Sequence, residues 1–181
     1  VQLYYGKRDD SRVRKAFYNG PFVEGWAVYT EKLMVDAGYP GVAPAGDKPA
    51  GVSDALWAVA QDPKLRAKAI ALHGAKFFLR AVTNTILDHD IHAGTMTEAQ
   101  AIELMTQRAY QQEGEARGKW VRAQVTNTQL STYFAGASAW FELRAEADAA
   151  GQTRDLAAWH AEALNHGAPP VGALRELMVL E

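Results

Sequence analysis

The sequence contains no cysteine, which excludes disulfide bonds, thiolate catalysis and cysteine-ligated metal sites. Its net charge is only −2 at pH 7, so it has no general basic field to attract nucleic acid or an anionic membrane. No apolar run approaches the roughly 18 residues that span a membrane. We therefore expect no nucleic-acid partner and no membrane span.

Several catalytic signatures are also missing. The 181 residues show no phosphate loop, no dinucleotide fingerprint, no serine elbow and no His-Glu-x-x-His helix. None of the five histidines is paired at the i, i+4 spacing of a helical zinc site. The chain alone therefore carries no complete motif for any of these chemistries.

Strand-type alternation is absent and helical periodicity is present throughout, so we predict an all-α fold of about seven or eight helices. One long central helix is predicted from Lys64 to about Ile91. A capping box at 97–100 predicts a helix through Gln111. Gly114 and Gly118 are expected to punctuate a short segment, and Thr126 to begin another helix.

The two ends of the chain complete this prediction. Residues 1–5 are apolar like the tail of a helix, residues 12–18 predict a short helix, and residues 171–180 predict the last one. We expect residues 1–181 to form a single helical domain. The opening in mid-pattern indicates a C-terminal fragment of a longer protein.

The most informative stretch is residues 22–31, Phe-Val-Glu-Gly-Trp-Ala-Val-Tyr-Thr-Glu. Pro21 suits the start of a helix, and Asn19 or Gly20 can cap it. Glu24 and Glu31 are seven residues apart and therefore share one helix face. Two interpretations stay open here: a functional pair of carboxylates, or a Glu24 in the first turn that only complements the helix dipole while Glu31 pairs with Lys32 or water.

Three further positions could carry chemistry. Asp88 and His92 are four apart near the end of the long helix, so Asp88 can orient His92; alternatively, His92 only favours a helix C-terminus. Tyr133 lies one turn from Gly136 and Ala137, so small neighbours would leave space over its ring and its hydroxyl could donate to an oxyanion. The alternative for Tyr133 is a core tyrosine.

Arg80 and Arg144 lie in apolar helical stretches. A buried arginine requires a carboxylate partner, for which Glu24, Glu31 and Asp88 are the candidates. The sequence alone does not pair them.

Four segments carry a resemblance to the C-terminal part of the bacterial domain-of-unknown-function 885 family. The first, residues 17–31, resembles that family's Phe-x-Glu-Gly-Trp-Ala-x-Tyr-x-Glu signature. The others are Arg80-Ala81 with 88–97, Gln129–Gly136 with Leu143-Arg144, and 159–174. Asp90 departs from the pattern, where glycine is expected.

Members of this family look similar to all-helical zinc metallopeptidases with a His-Glu motif just upstream of the Glu-Gly-Trp helix. The resemblance implies a zincin-like C-terminal half in which Glu24 ligates zinc and Glu31 supports it. Tyr133 and His92 would stabilise the tetrahedral intermediate or bind substrate. Asp88, Arg80 and Arg144 would support the site or bind substrate. The remaining ligands and the general base would lie upstream, in the missing N-terminal half.

These implications set the functional expectations. The parent would be a zinc-dependent hydrolase of peptide or amide bonds with a peptide-like substrate. It would be soluble and, since many relatives look exported, could be a periplasmic protein or a lipoprotein. This chain alone would be inactive and hold no zinc stably. An exposed apolar surface could also drive homo-oligomerisation. The alternative is a non-catalytic helical binding or scaffolding domain, in which Glu24 and His92 only satisfy buried polar partners.

Overall fold

A computed structural model describes residues 4, 11, 12 and 16–179 of the chain. Within residues 16–179, eight α-helices are joined by turns and by one long loop, residues 37–53. They are α1 (Gly20–Asp36), α2 (Asp54–Gln61), α3 (Pro63–His92), α4 (Glu98–Glu103), α5 (Glu113–Val125), α6 (Thr132–Ala149), α7 (Leu156–Asn165) and α8 (Val171–Val179). The described residues contain no strand, so the predicted all-α fold with a long central helix is confirmed.

Side chains cap the helices at several predicted positions. The Asn19 side-chain oxygen accepts the Phe22 N–H at 2.8 Å at the start of α1. Thr97 and Gln100 form the predicted capping box of α4. Gly38 adopts a φ of +67° just beyond α1, the left-handed conformation that commonly ends a helix.

The helix predicted from the capping box to Gln111 is shorter than expected. After Glu103 the chain widens into a single π-helical turn, Leu104–Arg108, and leaves the helical conformation at Ala109. The turn carries Met105, which is fully buried. The α-helical periodicity therefore ends several residues earlier than the sequence predicts.

Two other boundaries also differ from prediction. Gly114 and Gly118 lie inside α5 rather than punctuating a separate segment. A Cβ at either position would meet no atom within 4 Å, so both face open space and α5 simply continues through them. The sixth helix begins at Thr132 rather than near Thr126, because the preceding residues are held in a turn by a side chain of α3.

Helices α1 and α6 cross at Gly25 and Gly136. A Cβ built on Gly25 would lie 2.2 Å from the carbonyl carbon of Gly136, and one built on Gly136 would lie 1.9 Å from the Pro21 carbonyl oxygen. Real side chains essentially never approach so closely. Backbone therefore packs directly on backbone at this crossing.

Aromatic rings fill the space beside the crossing. Phe22, Tyr29 and Trp140 are fully buried, and the Trp140 ring lies 5.0 Å from both Phe22 and Trp26 in edge-to-face contacts. The Trp140 Nε1–H donates to the Phe22 carbonyl at 3.1 Å. This cluster fixes the rotation of α1 about its axis and hence the direction in which its carboxylates face.

The long helix α3 joins this core to a second one. It packs against α1, α2, α5 and α6. Its buried Leu87 belongs to a second apolar cluster with Ala101, Met105 and Ala116. No helix among the described residues is long and apolar enough to cross a membrane.

The predictions at the chain ends fall mostly on undescribed residues. Of the helix tail expected at residues 1–5, only residue 4 is among the described residues. Phe17, Tyr18 and Asn19 are not helical, so the helix predicted over 12–18 does not reach Tyr18, and its residues 13–15 lie outside the described part. The last helix is confirmed through Val179, and Leu180 again lies outside.

Substitution at the glycine crossing should be strongly destabilising. We expect Gly136→Ala to lower the free energy of unfolding by about 3 kcal/mol, because the added methyl would force two backbones apart. Urea unfolding measures this loss. Gly118→Ala is the matched control: it adds the same methyl to a helix where nothing blocks it and should raise stability by up to about 1 kcal/mol. An unchanged stability in Gly136→Ala would contradict the close crossing.

Candidate functional site

A cleft of about 590 Å³ opens between α1, α3 and α5, with α6 contributing one side chain. It brings together four of the residues predicted from the sequence, namely Glu24, Glu31, Arg80 and Tyr133. It also contains Asn84, Lys119 and Arg122, which were not predicted from the sequence. Apolar side chains of α1 and α3, including Val28, Phe77 and Phe78, complete the lining.

The α1 wall of the cleft carries the two carboxylates. Glu24 is half-buried and Glu31 exposed. Within the part of the chain that the structure describes, neither side-chain carboxylate makes a hydrogen bond or an ion pair. Lys32, the partner considered for Glu31, instead forms an ion pair with Asp36.

The position of Glu24 in its helix differs from prediction. Because α1 begins at Gly20, Glu24 is the fifth helical residue and lies beyond the first turn. The helix dipole acts mainly within the first turn, so it gives only a weak reason for a carboxylate at this position.

Tyr133 reaches the cleft from α6. Its side chain is half-buried, and its hydroxyl accepts the Gln129 Nε2–H at 3.3 Å. The hydroxyl hydrogen remains able to donate. The space beside Gly136 itself is filled by the backbone of α1, at Pro21 and Gly25.

The opposite wall is cationic. Arg80 forms an ion pair with Glu115, and its guanidinium lies 5.5 Å from the centroid of the Phe77 ring. Lys119 is only 7% exposed; its Nζ donates to Gln111 Oε1 at 2.7 Å and lies 3.6 Å from Glu115 Oε1. Burial, helped by the nearby charge of Arg80, lowers the pKa of Lys119 to about 8.

Two more polar groups complete this wall. Arg122 is exposed and donates to Gln129 Oε1 at 2.5 Å. Asn84 is 8% exposed, and its Oδ1 has no hydrogen-bond partner among the described residues. The signal in the sequence is only that Arg80 and Asn84 are four apart, and Lys119 and Arg122 three apart, each pair on one helix face.

Asp88 and His92 lie outside the lining of the cleft. Asp88 is 3% exposed, and its carboxylate accepts the Thr128 N–H at 3.1 Å, the Ser131 N–H at 2.9 Å and the Ser131 hydroxyl at 2.6 Å. His92 donates from Nε2 to the Thr126 carbonyl at 2.8 Å and lies 3.5 Å from Asp88. Together they hold the turn that precedes α6, a cap supplied from another helix.

Arg144 also lies away from the cleft. It donates to Asp148 at 2.8 Å and to the Tyr29 hydroxyl at 3.3 Å. The Tyr29 hydroxyl lies 2.9 Å from His160 Nε2. Burial, reinforced by the Arg144 charge, lowers the pKa of His160 to about 4, so neutral His160 accepts the tyrosine hydrogen. Arg144, Tyr29 and His160 thus form a hydrogen-bonded chain.

The described residues provide at most part of a metal site. They contain no group of three or more histidine, aspartate or glutamate side chains able to hold a metal ion. Catalytic zinc requires about three protein ligands. Glu24 fits the requirement for one unpaired carboxylate oxygen facing a cleft, and further ligands would have to come from elsewhere.

Comparisons with known proteins agree with this architecture. The family described as bacterial protein of unknown function (DUF885) matches residues 1–178. A solved structure from Shewanella oneidensis, described as a candidate lipoprotein of unknown function, is 38% identical with a TM-score of 0.75. The match covers 98% of this chain but 28% of that one. No curated protein matches the sequence.

The cap formed by Asp88 should be a large contributor to stability. We expect Asp88→Ala to lower the free energy of unfolding by about 2–3 kcal/mol, because it leaves the N–H groups before α6 without their acceptor. Chemical unfolding measures the loss. Asp90→Ala, which removes only a contact to exposed His89, is the control and should cost less than about 0.5 kcal/mol. Equal losses in both variants would contradict the capping role.

The hydrogen bond between Tyr29 and His160 should make the free energy of unfolding depend on pH in the acid range. His160 has a folded pKa near 4, below its ordinary value of about 6.5, so the neutral form is favoured by folding. Its contribution is therefore complete above pH 6.5 and is lost as the pH falls towards 4. Since the side chain is only partly buried, we expect a loss of about 2 kcal/mol.

Unfolding free energies from pH 7 to pH 4 test this sign. His160→Gln keeps a hydrogen-bonding side chain but does not titrate. The stability difference between the wild type and this variant should shrink as the pH falls. A difference that stays constant would show that His160 does not titrate with unfolding.

Proposed function

This chain belongs to the bacterial DUF885 family, and we propose that it forms the C-terminal part of a zinc-dependent hydrolase that cleaves peptide or amide bonds. The observation that carries the proposal is Glu24, a carboxylate held on a cleft wall without a partner among the described residues. Because it lines the cleft and is not neutralised by a neighbouring side chain, this carboxylate is available to a positive charge or a hydrogen-bond donor that enters the cleft. A metal ion would supply that charge.

In this proposal the cleft residues have separate roles. Glu24 would contribute one carboxylate oxygen to the zinc, and Glu31, two turns along the same face, would support it. When bound, zinc supplies a water of lowered pKa for attack on the scissile carbonyl. Tyr133 would donate its hydroxyl hydrogen to the negative charge that develops on the carbonyl oxygen.

The other predicted residues would act through the scaffold. Asp88 and His92 would hold the turn before α6 and thereby the position of Tyr133. Arg144 would hold Tyr29 on the side of α1 that faces the core. These are positioning roles, since none of the three lines the cleft.

The chain spans 28% of the length of the Shewanella oneidensis structure, which supports a larger parent protein. We propose that the remaining zinc ligands and the general base come from the part of the parent outside this chain. The description of that relative as a candidate lipoprotein supports export of the parent.

A non-catalytic helical binding domain is the second candidate. It is favoured by the absence of a complete metal-binding group among the described residues, and by the structural partners that Asp88 and His92 already have. In that case Glu24 would bind a cationic partner rather than a metal. Metal content separates the two candidates.

The decisive variant is Glu24→Gln in the full-length protein. We expect the wild type to hold about one zinc per chain and to hydrolyse peptides. Loss of one of three protein ligands should lower zinc occupancy and reduce kcat/KM at least about 100-fold. Elemental analysis and a peptide hydrolysis assay measure the two effects.

Glu176→Gln provides the control, because it makes the same change at an exposed position of α8 outside the cleft. It should keep both zinc and activity. If Glu24→Gln retains its zinc and its activity, Glu24 is not a ligand. If the wild type holds no zinc, the binding domain is favoured.

A further inference from the structure

The cationic wall of the cleft has no part in the proposed hydrolysis. Arg80 and Lys119 both contact Glu115 and are therefore neighbours, and Arg122 follows Lys119 by one helical turn. Three positive charges face one negative charge, so the group keeps a net charge of about +2 while Lys119 is protonated. An excess of cations that lines a cleft and includes a buried lysine favours an anionic ligand.

Hydrogen-bond donors remain unused on this wall. Lysine has three N–H donors. Within the described part of the chain, the Lys119 ammonium donates one hydrogen bond, to Gln111 at 2.7 Å, and lies 3.6 Å from Glu115. Arginine has five N–H donors, and among the described residues Arg122 donates one of them, to Gln129. Both side chains can therefore add a charge-assisted hydrogen bond, the type that carboxylates accept best.

Asn84 provides the second, independent observation. It is more than nine-tenths buried and lines the same cleft, yet its Oδ1 has no partner among the described residues. Buried polar atoms are nearly always hydrogen-bonded. The Oδ1 atom is itself shielded from solvent, so a peptide N–H would reach this acceptor only after the side chains that cover it shift on binding.

The apolar lining adds a third requirement. Val28, Phe77 and Phe78 line the cleft that also holds the acidic and cationic walls. Glu24 and Glu31 would repel a carboxylate from the α1 side. A peptide would therefore place its carboxylate towards α5 and an apolar side chain against the phenylalanines.

We infer that Lys119, Arg122 and Asn84 form a subsite that binds a carboxylate of the peptide substrate together with a neighbouring amide N–H. The carboxylate is supplied by the C-terminus of the peptide or by an acidic side chain. This inference rests on the proposed peptide hydrolysis for its substrate class. Binding can nevertheless be tested without metal or cleavage.

The test uses the full-length protein, stripped of metal with a chelator, and three peptides measured by calorimetry. N-acetyl-alanyl-phenylalanine has a free C-terminus, its C-terminal amide has no carboxylate, and N-acetyl-alanyl-glutamic acid α-amide has only the side-chain one. We expect a carboxylate-bearing peptide to bind at least about tenfold more tightly than the neutral amide. The peptide that binds more tightly than the neutral amide shows whether the bound carboxylate is the C-terminus or an acidic side chain.

Two variants locate the preference. Arg122→Gln changes an exposed side chain and should not disturb folding, and Lys119→Met removes the buried charge at similar volume. Each should reduce the preference for the acid at least about threefold. Lys68→Met, at an exposed position of α3 outside the cleft, should leave it unchanged.

The pH dependence gives a separate readout. Since the pKa of Lys119 is about 8, raising the pH from 7 to 9 should weaken binding of the acid but not of the neutral amide. Equal affinity for all three peptides would overturn the subsite, as would a preference that survives in both Arg122→Gln and Lys119→Met. Because no zinc is present, these outcomes do not depend on whether the protein hydrolyses peptides.

Discussion

The backbone contact between Gly25 and Gly136 determines where the cleft residues stand. With no side chain on either helix, α1 and α6 approach until a Cβ would overlap a carbonyl. Glu24 immediately precedes the first glycine, and Tyr133 lies three residues before the second. The same crossing that packs the core therefore brings a carboxylate and a phenol to one cleft. A side chain at either glycine would push the two helices apart and so increase the distance between Glu24 and Tyr133, without changing the chemistry of either residue.

Polar contacts between helices hold the rest of the frame. Asp88 of α3 caps the turn before α6, and the Trp140 indole of α6 bonds to the Phe22 carbonyl of α1. Each contact joins segments that are distant in sequence, by 43 and 118 residues. Because α3 also packs on α5, a change at Asp88 would be transmitted to both walls of the cleft.

Helix positions were largely predictable because their signals are local. Asn19, Thr97 and Gly38 act within one turn of the helix ends that they specify. The start of α6 was not predictable in this way, since its cap comes from Asp88, and a π-helical turn has no simple periodic signature. The family resemblance singled out Glu24 and Tyr133, which share the cleft, but also His92 and Arg144, which serve the frame around it.

Lys119 and Arg122 of the cationic wall were not predictable from the sequence for a related reason. Lys119 occurs in a helix with many polar residues, where a lysine is ordinarily solvated, and only packing against α3 shows that it is buried. Arg80 attracted attention as an arginine in an apolar stretch, but its partner is Glu115 of α5 rather than a carboxylate of α1 or α3. Long-range pairing of this kind is set by tertiary packing and not by spacing along the chain.

That pairing has a chemical consequence for the cleft. If Arg80 or Lys119 were paired with Glu24, the carboxylate would be neutralised and could not serve a metal or a cationic group. Glu115 instead engages both cations on their own wall, and no described residue pairs with Glu24 or Glu31. The two walls thus keep opposite charges across one apolar cleft. This separation would orient a ligand that has an anionic group at one end, facing the cations, and a polar group at the other, facing the carboxylates.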